Sequence, residues 1–153
     1  ADDPLLNVRA VADATPLGEI PQPLRVVLDR QGRMPREAQL LQQPESVLLV
    51  GATQLNGVES WPQMDLADLL NRLRDDKQIR DVLVEAGATL SAAFLQADLV
   101  DELIIYLAPT LLGSSARPMV ALPLVQMAQQ LRFELIEMQQ VGEDIRLILR
   151  PRR

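Results

Sequence analysis

The sequence predicts a one-domain α/β protein with a mixed sheet, largely parallel and covered by helices on both faces. Short apolar runs alternate with amphipathic segments in the order strand, strand, helix, strand, helix, strand. Two further strands close the chain around a Gly-containing turn at residues 140–143. The alternation favours parallel pairing, and the final pair predicts a C-terminal antiparallel hairpin at one edge.

The predicted strands have apolar, often β-branched centres and end near Gly, Pro or charged residues. They cover residues 24–29, 46–51, 79–84, 101–108, 131–139 and 144–149. Residues 52–63 lack such a centre and are expected to form a loop.

Two segments have the spacing of amphipathic helices. Residues 65–77 place leucines along one face, and Asp65 is suited to the N-cap. Residues 89–95 place Leu90, Phe94 and Leu95 at helical spacing. Single helical turns are expected within 37–42 and 124–128.

The composition of the 153 residues limits the class of function. Hydrophobic residues make up 48% and aromatic residues 3%, so one largely aliphatic core is expected. The net charge of −6 disfavours generic nucleic-acid binding. No apolar run is long enough to span a bilayer, and we expect a cytoplasmic protein without a membrane partner.

The absence of Cys and His excludes thiol catalysis, Ser-His triads and His-ligated zinc, and no metal site is predicted. An acid or base must then come from Asp, Glu, Tyr or Lys77. This favours chemistry in which a cofactor performs the difficult step and the protein orients it. It is equally compatible with a binding domain that has no catalytic activity.

Residues 82–95 form the most informative stretch, VLVEAGATLSAAFL. A strand, a turn at Gly87 and a helix would direct backbone N–H groups and a positive helix end at an anion. Glu85 would lie at the carboxyl end of the strand. The residues leave two interpretations open: a phosphate-binding turn with a carboxylate beside it, or an ordinary strand–helix turn with a solvated Glu.

Two other groups of charges have the same ambiguity. Asp2, Asp3 and Arg9 near the start are either site residues or an Asp-Pro turn with a surface Arg. Three arginines after the first strand either receive a phosphate or are solvated; they are Arg30, Arg33 and Arg36.

Three stretches in order resemble the reductase domain of the bifunctional riboflavin-biosynthesis deaminase–reductase. They are ADDPLLNVR, PLRVVLDRQGRMP and VLVEAGATLSAAFLQADLVDELIIYLAPTLLG. The resemblance implies a dihydrofolate-reductase-like fold over residues 1–153. It also implies reduction of 5-amino-6-(5-phosphoribosylamino)uracil to the ribitylamino compound, with NADPH as cofactor.

The resemblance also assigns site residues. Asp2 and Glu85 are the candidate catalytic residues, and Asp2 also lies near the cofactor. Leu6, Arg9 and Glu85 match substrate contacts, with Arg9 a candidate for the substrate phosphate. The remaining expected NADPH contacts are Arg30, where relatives often have a small hydroxyl residue, and Gly87, Ala88, Thr89, Leu90, Ser91, Ala92 and Ala93.

The family's domain begins with a strand and a helix before the ADDP motif, and those are missing here. We therefore expect a fragment of a longer chain that is fused to an N-terminal zinc deaminase domain. A homodimer is expected through the aliphatic strands near the sheet edge. The alternatives are a non-catalytic nucleotide-binding or oligomerisation fragment, and another pteridine or pyrimidine reductase.

Overall fold

A computed structural model describes residues 3–8 and 20–153 of the chain. The chain divides into two compact units, Ala1–Asp65 and Leu66–Arg153. Helices and strands occur in the predicted α/β combination, with both parallel and antiparallel pairing.

The described part of the first unit contains a parallel three-stranded sheet. Its strands are β1 (Arg25–Asp29), β2 (Val47–Gly51) and β3 (Glu59–Trp61), in the order β1-β2-β3. Residues 47–50 of the central strand are at most 4% exposed, which explains their unbroken apolar sequence. The core around β2 consists of Ala38, Leu40, Val47 and Leu49, with Val27, Met34, Leu41, Leu55 and Val58 packed against them.

The second unit begins with α1 (Leu66–Lys77) and α2 (Ala88–Gln96). Three antiparallel strands in its described residues, β4 (Leu103–Leu107), β5 (Phe133–Val141) and β6 (Asp144–Pro151), pair in the order β4-β6-β5. The β5–β6 hairpin closes at Gly142, whose φ of +63° suits the first central position of a tight turn. The predicted hairpin and both predicted helices are thus confirmed.

Two expectations for strands are wrong. Residues 59–61, expected within a loop, form β3 beside β2. Residues 79–84, expected to form a strand, have no regular structure, and Leu83 is 77% exposed. A strand needs a hydrogen-bonding neighbour, and none of the described strands pairs with residues 79–84. An apolar run does not specify that neighbour, so the local pattern alone was misleading.

The described strands also lie in two separate sheets rather than the single mixed sheet expected from the sequence. Single helical turns occur near both expected places, at Gln39–Gln42 and Met127–Gln129. No helix in the described ranges is both long and apolar enough to cross a membrane.

Candidate active site

Most of the expected cofactor contacts lie at the start of α2 in the second unit. Gly87 is the N-cap of this helix, and residues 88–93 form its first turns. Ala92 is buried on the core side, whereas Glu85, Gly87 and Thr89 are exposed. Glu85 is therefore close in sequence to the helix start, but it does not end a strand as expected.

The backbone at the start of α2 is open to an anion. The N–H groups of Leu90 and Ser91 both donate to the carbonyl of Gly87 at 3.1 Å. No side chain in the described residues caps this helix end, so its first N–H groups are available to a ligand. Ala121 donates its N–H to the carbonyl of Ala88 at 3.1 Å, which holds the 119–122 loop against the first turn.

Gly87 has no steric reason within the described chain to be glycine. Its φ of −73° is ordinary for any residue, and a Cβ built on it would have no atom within 4 Å. A glycine in such a position permits close approach of another molecule to the backbone. The turn and helix start expected from the sequence are present, without the preceding strand, and their binding of a phosphate stays a prediction.

The carboxyl ends of β1 and β2 form a different kind of cluster in the first unit. Asp29 is 8% exposed and accepts hydrogen bonds from the N–H groups of Arg33 at 2.9 Å and Met34 at 2.8 Å. The Thr53 hydroxyl also donates to this carboxylate. Burial raises the pKa of Asp29, but the hydrogen bonds from Thr53, Arg33 and Met34 outweigh it, so the pKa is lowered overall.

Gly51 completes this cluster by bringing two backbones together. Its φ is +135°, and a Cβ at this position would lie 2.3 Å from the carbonyl oxygen of Asp29. That oxygen accepts the N–H of Ala52 at 2.9 Å. The cluster therefore joins the turn after β1 to the loop after β2, and its polar groups are used within the protein.

The turn after β1 displays cations at the surface. Arg30, Arg33 and Arg36 are exposed, and none of them forms an ion pair within the part of the chain that the structure describes. Arg30 is thus accessible to an anion, as the cofactor assignment requires.

Leu6 lies in a segment with an unusual backbone. It is half-buried with φ of +49°, and Asp3 has φ of +42°. The Asp3 carboxylate accepts the N–H of Gln39 at 3.0 Å, so this acid is used in holding the segment. Asp2 and Arg9, the other expected contacts near the start, lie outside the described residues.

Two features of the first unit were missed in the sequence. One is the Asp29–Thr53 cluster, and the other is the buried side chain of Arg25, which contacts the segment that contains Leu6. The signal available was a charged residue at each end of an apolar strand, in RVVLD. Their partners lie about 20 residues away in the chain, which local patterns do not reveal.

Comparisons with known proteins show which family the chain is similar to. The RibD C-terminal domain family matches residues 1–147. The riboflavin biosynthesis protein RibD of Escherichia coli K12 is 39% identical over 97% of this chain and 45% of its own length. A 5-amino-6-(5-phosphoribosylamino)uracil reductase of Buchnera aphidicola subsp. Acyrthosiphon pisum is 32% identical over all of this chain and 82% of its own length.

A solved structure of RibD from Acinetobacter baumannii is 48% identical, with a TM-score of 0.94. The match covers 99% of this chain and 44% of that one, so the chain spans less than half of these RibD relatives. The expected dihydrofolate-reductase-like fold class is confirmed. A reductase of this family implies a nicotinamide cofactor. From the family match over 147 residues, the chain belongs to the RibD C-terminal domain family.

Proposed function

We propose that residues 1–153 form the reductase part of a riboflavin-biosynthesis enzyme. It reduces 5-amino-6-(5-phosphoribosylamino)uracil to the ribitylamino compound and uses NADPH. The uncapped start of α2, with Gly87 in open space two residues after the exposed Glu85, is the observation that carries this proposal. The reductase name of the Buchnera relative supports the reaction class.

The start of α2 fits the phosphates of a dinucleotide. Exposed N–H groups at a helix N-terminus and the positive end of its dipole favour negative charge. Gly87, Ala88 and Thr89 would hold the cofactor through their backbone N–H groups. Leu90 and Ser91 would complete this turn, since their own N–H groups donate to the carbonyl of Gly87. Ala92 and Ala93 would support that turn, since Ala92 packs inward. Arg30 would add a cation for the extra phosphate of NADPH.

The remaining site residues would orient the substrate. When bound, the nicotinamide supplies a hydride to C1 of the opened ribose. Glu85 and Leu6 are each proposed as contacts of the pyrimidine substrate, and Arg9 is the candidate partner for its phosphate. The resemblance assigns Asp2 a role at the reacting carbon and the cofactor. Whether Asp2 or Glu85 moves a proton is decided by the pH dependence of turnover in their amide variants.

Oxidation of NADPH in the presence of the pyrimidine substrate tests the proposal directly. We expect Glu85→Gln to lower kcat/KM for the pyrimidine by about 100-fold, because a charged contact to the reacting substrate is lost. The KM for NADPH should change less than twofold. Glu143→Gln, in the exposed hairpin turn, is the matched control.

Equal losses for both substrates would place Glu85 in the cofactor site or in folding. Binding of NADPH by the wild type without its oxidation would contradict the reductase proposal. It would favour the alternative of a nucleotide-binding fragment.

Assembly and location complete the proposal. The chain covers 45% of the length of the RibD relative, which supports fusion to another domain. The N-terminal zinc deaminase identity of that domain and the cytoplasmic location are proposed from the resemblance alone. A homodimer is supported by one apolar face of the second sheet, where Leu107 and Ile145 are directly opposite and 52% and 44% exposed. Light scattering at micromolar concentration should give twice the chain mass, and a monomer would contradict the dimer.

A further inference from the structure

The segment 3–8, which contains the proposed substrate contact Leu6, has a backbone that its own residues disfavour. Asp3 and Leu6 have φ of +42° and +49°, a left-handed conformation that is uncommon for residues other than glycine. Such conformations persist where the surrounding structure fixes them, and they concentrate at functional sites. Contacts outside the segment must therefore hold it.

Three such contacts lie within the described residues. The carbonyl of Leu5 accepts a hydrogen bond from Nη1 of Arg25 at 3.3 Å. The N–H of Val8 donates to the side-chain oxygen of Gln22 at 2.9 Å, and the carboxylate of Asp3 accepts the N–H of Gln39 at 3.0 Å. The Arg25 contact lies in the middle of the segment, next to Leu6.

Arg25 is an unexpected residue at the start of a buried strand. It is 5% exposed, and its described partners are carbonyl oxygens rather than carboxylates. Its Nη2 donates to Gln43 at 2.8 Å, and its Nε donates to Ser46 at 3.4 Å. Burying a cation without an opposite charge is unfavourable, and β1 would form equally well with an apolar residue at this position.

The guanidinium is suited to this arrangement because its donors lie in one rigid plane. One side of the fork is fixed by the turns before β2, at Gln43 and Ser46. The other side is thereby aimed at Leu5. Arg25 thus fixes the backbone of segment 3–8 relative to β1 and to the turns before β2.

We propose that Arg25 is a positioning residue for substrate binding, acting through the backbone of segment 3–8. The inference rests on the proposed function, in which Leu6 contacts the substrate. It assigns to Arg25 an effect on the pyrimidine substrate and not on NADPH.

The test compares Arg25→Met and Arg25→Lys with Arg74→Met, whose guanidinium is exposed on α1. Steady-state kinetics should give Arg25→Met a KM for the pyrimidine at least about 10-fold higher, since small misplacements of contacts cost that much. The KM for NADPH should stay within twofold. Arg25→Lys should give a smaller rise, because an ammonium reaches fewer of the three carbonyls, and Arg74→Met should match the wild type.

Hydrogen exchange at the N–H of Val8 gives a second readout if Arg25→Met folds poorly. Gln22→Ala leaves β1 intact and removes the acceptor of this N–H. We expect faster exchange there and a KM shift of the same kind as for Arg25→Lys. Unchanged pyrimidine kinetics in a folded Arg25→Met, or equal changes for both substrates, would overturn the inference. An inactive wild type would contradict the proposed function instead.

Discussion

The ends of β1 and β2 and the start of α2 each contain a carboxylate and a glycine, but the two pairs have different roles. At the ends of β1 and β2, Asp29 is buried with its oxygens hydrogen-bonded, and Gly51 leaves no room for a Cβ. At the start of α2, Glu85 is exposed, and a Cβ on Gly87 would touch nothing. The residue types are alike, but their surroundings are opposite.

The difference separates residues that serve the fold from residues that are free to serve a ligand. Gly51 is explained by the backbone of Asp29, which it must approach closely. No described residue approaches Gly87 in this way, and no described side chain caps the helix end beside it. We therefore expect changes at Asp29 and Gly51 to alter stability, and changes at Gly87 to alter binding.

Gly51→Ala should produce the largest effect. Its Cβ would collide with the backbone of Asp29 at a φ that residues other than glycine avoid. We expect a loss of about 3 kcal/mol or more in the free energy of unfolding, measured with urea. Gly57→Ala is the control, because Gly57 also has a positive φ of +80° but has open space around it. Similar losses in both variants would show that the close approach is unimportant.

Asp29→Asn should cost less, about 1–3 kcal/mol at pH 7, because one oxygen acceptor becomes a donor that faces other donors. The lowered pKa of Asp29 makes this difference depend on pH. The unfolded carboxyl binds its proton more readily, so the native state gains stability from Asp29 above about pH 4. That gain is lost as the pH falls through the folded pKa.

Urea unfolding of the wild type and Asp29→Asn at pH 7 and pH 3 checks this sign. The gap between the two proteins should narrow at pH 3. A gap that is constant or grows on acidification would show that the Asp29 carboxylate does not stabilise the fold.

Gly87→Ala should have the smallest effect on stability and a selective effect on binding. We expect the free energy of unfolding to change by less than about 1 kcal/mol, as for an N-cap Gly replaced by Ala. The Kd for NADPH should rise by about 10-fold, because a methyl group stands where the phosphates approach. Fluorescence titration measures this, with Gly113→Ala as a control at another open position. Equal affinities would remove the main support for a phosphate-binding turn at Gly87.

The sequence predicted the elements that depend on local pattern. The apolar runs of β1 and β2, the leucine stripe of α1 and the Gly turn of the β5–β6 hairpin were each sufficient. β3 was missed because Glu-Ser-Trp is short and mostly polar, and its register with β2 is not a local property. Residues 79–84 were misassigned because strand pairing, like register, is not a local property.

The candidate site likewise has features that the sequence predicted and features that it did not. Gly87 and the start of α2 were predictable because a glycine before a helical repeat is a local signal. The pairing of Asp29 with Thr53 spans 24 residues, and that of Arg25 with Leu5 spans 20. Neither pairing follows from spacing alone, since both require the fold to bring distant loops together.

The most direct test of the proposed cofactor site is a titration of the isotopically labelled chain with NADPH, followed through the backbone amide chemical shifts. We expect saturable shifts at Gly87, Ala88 and Thr89, with the amides of β2 unchanged. Absence of a saturable shift at these three amides would contradict it, because the open helix end would then not be the cofactor site.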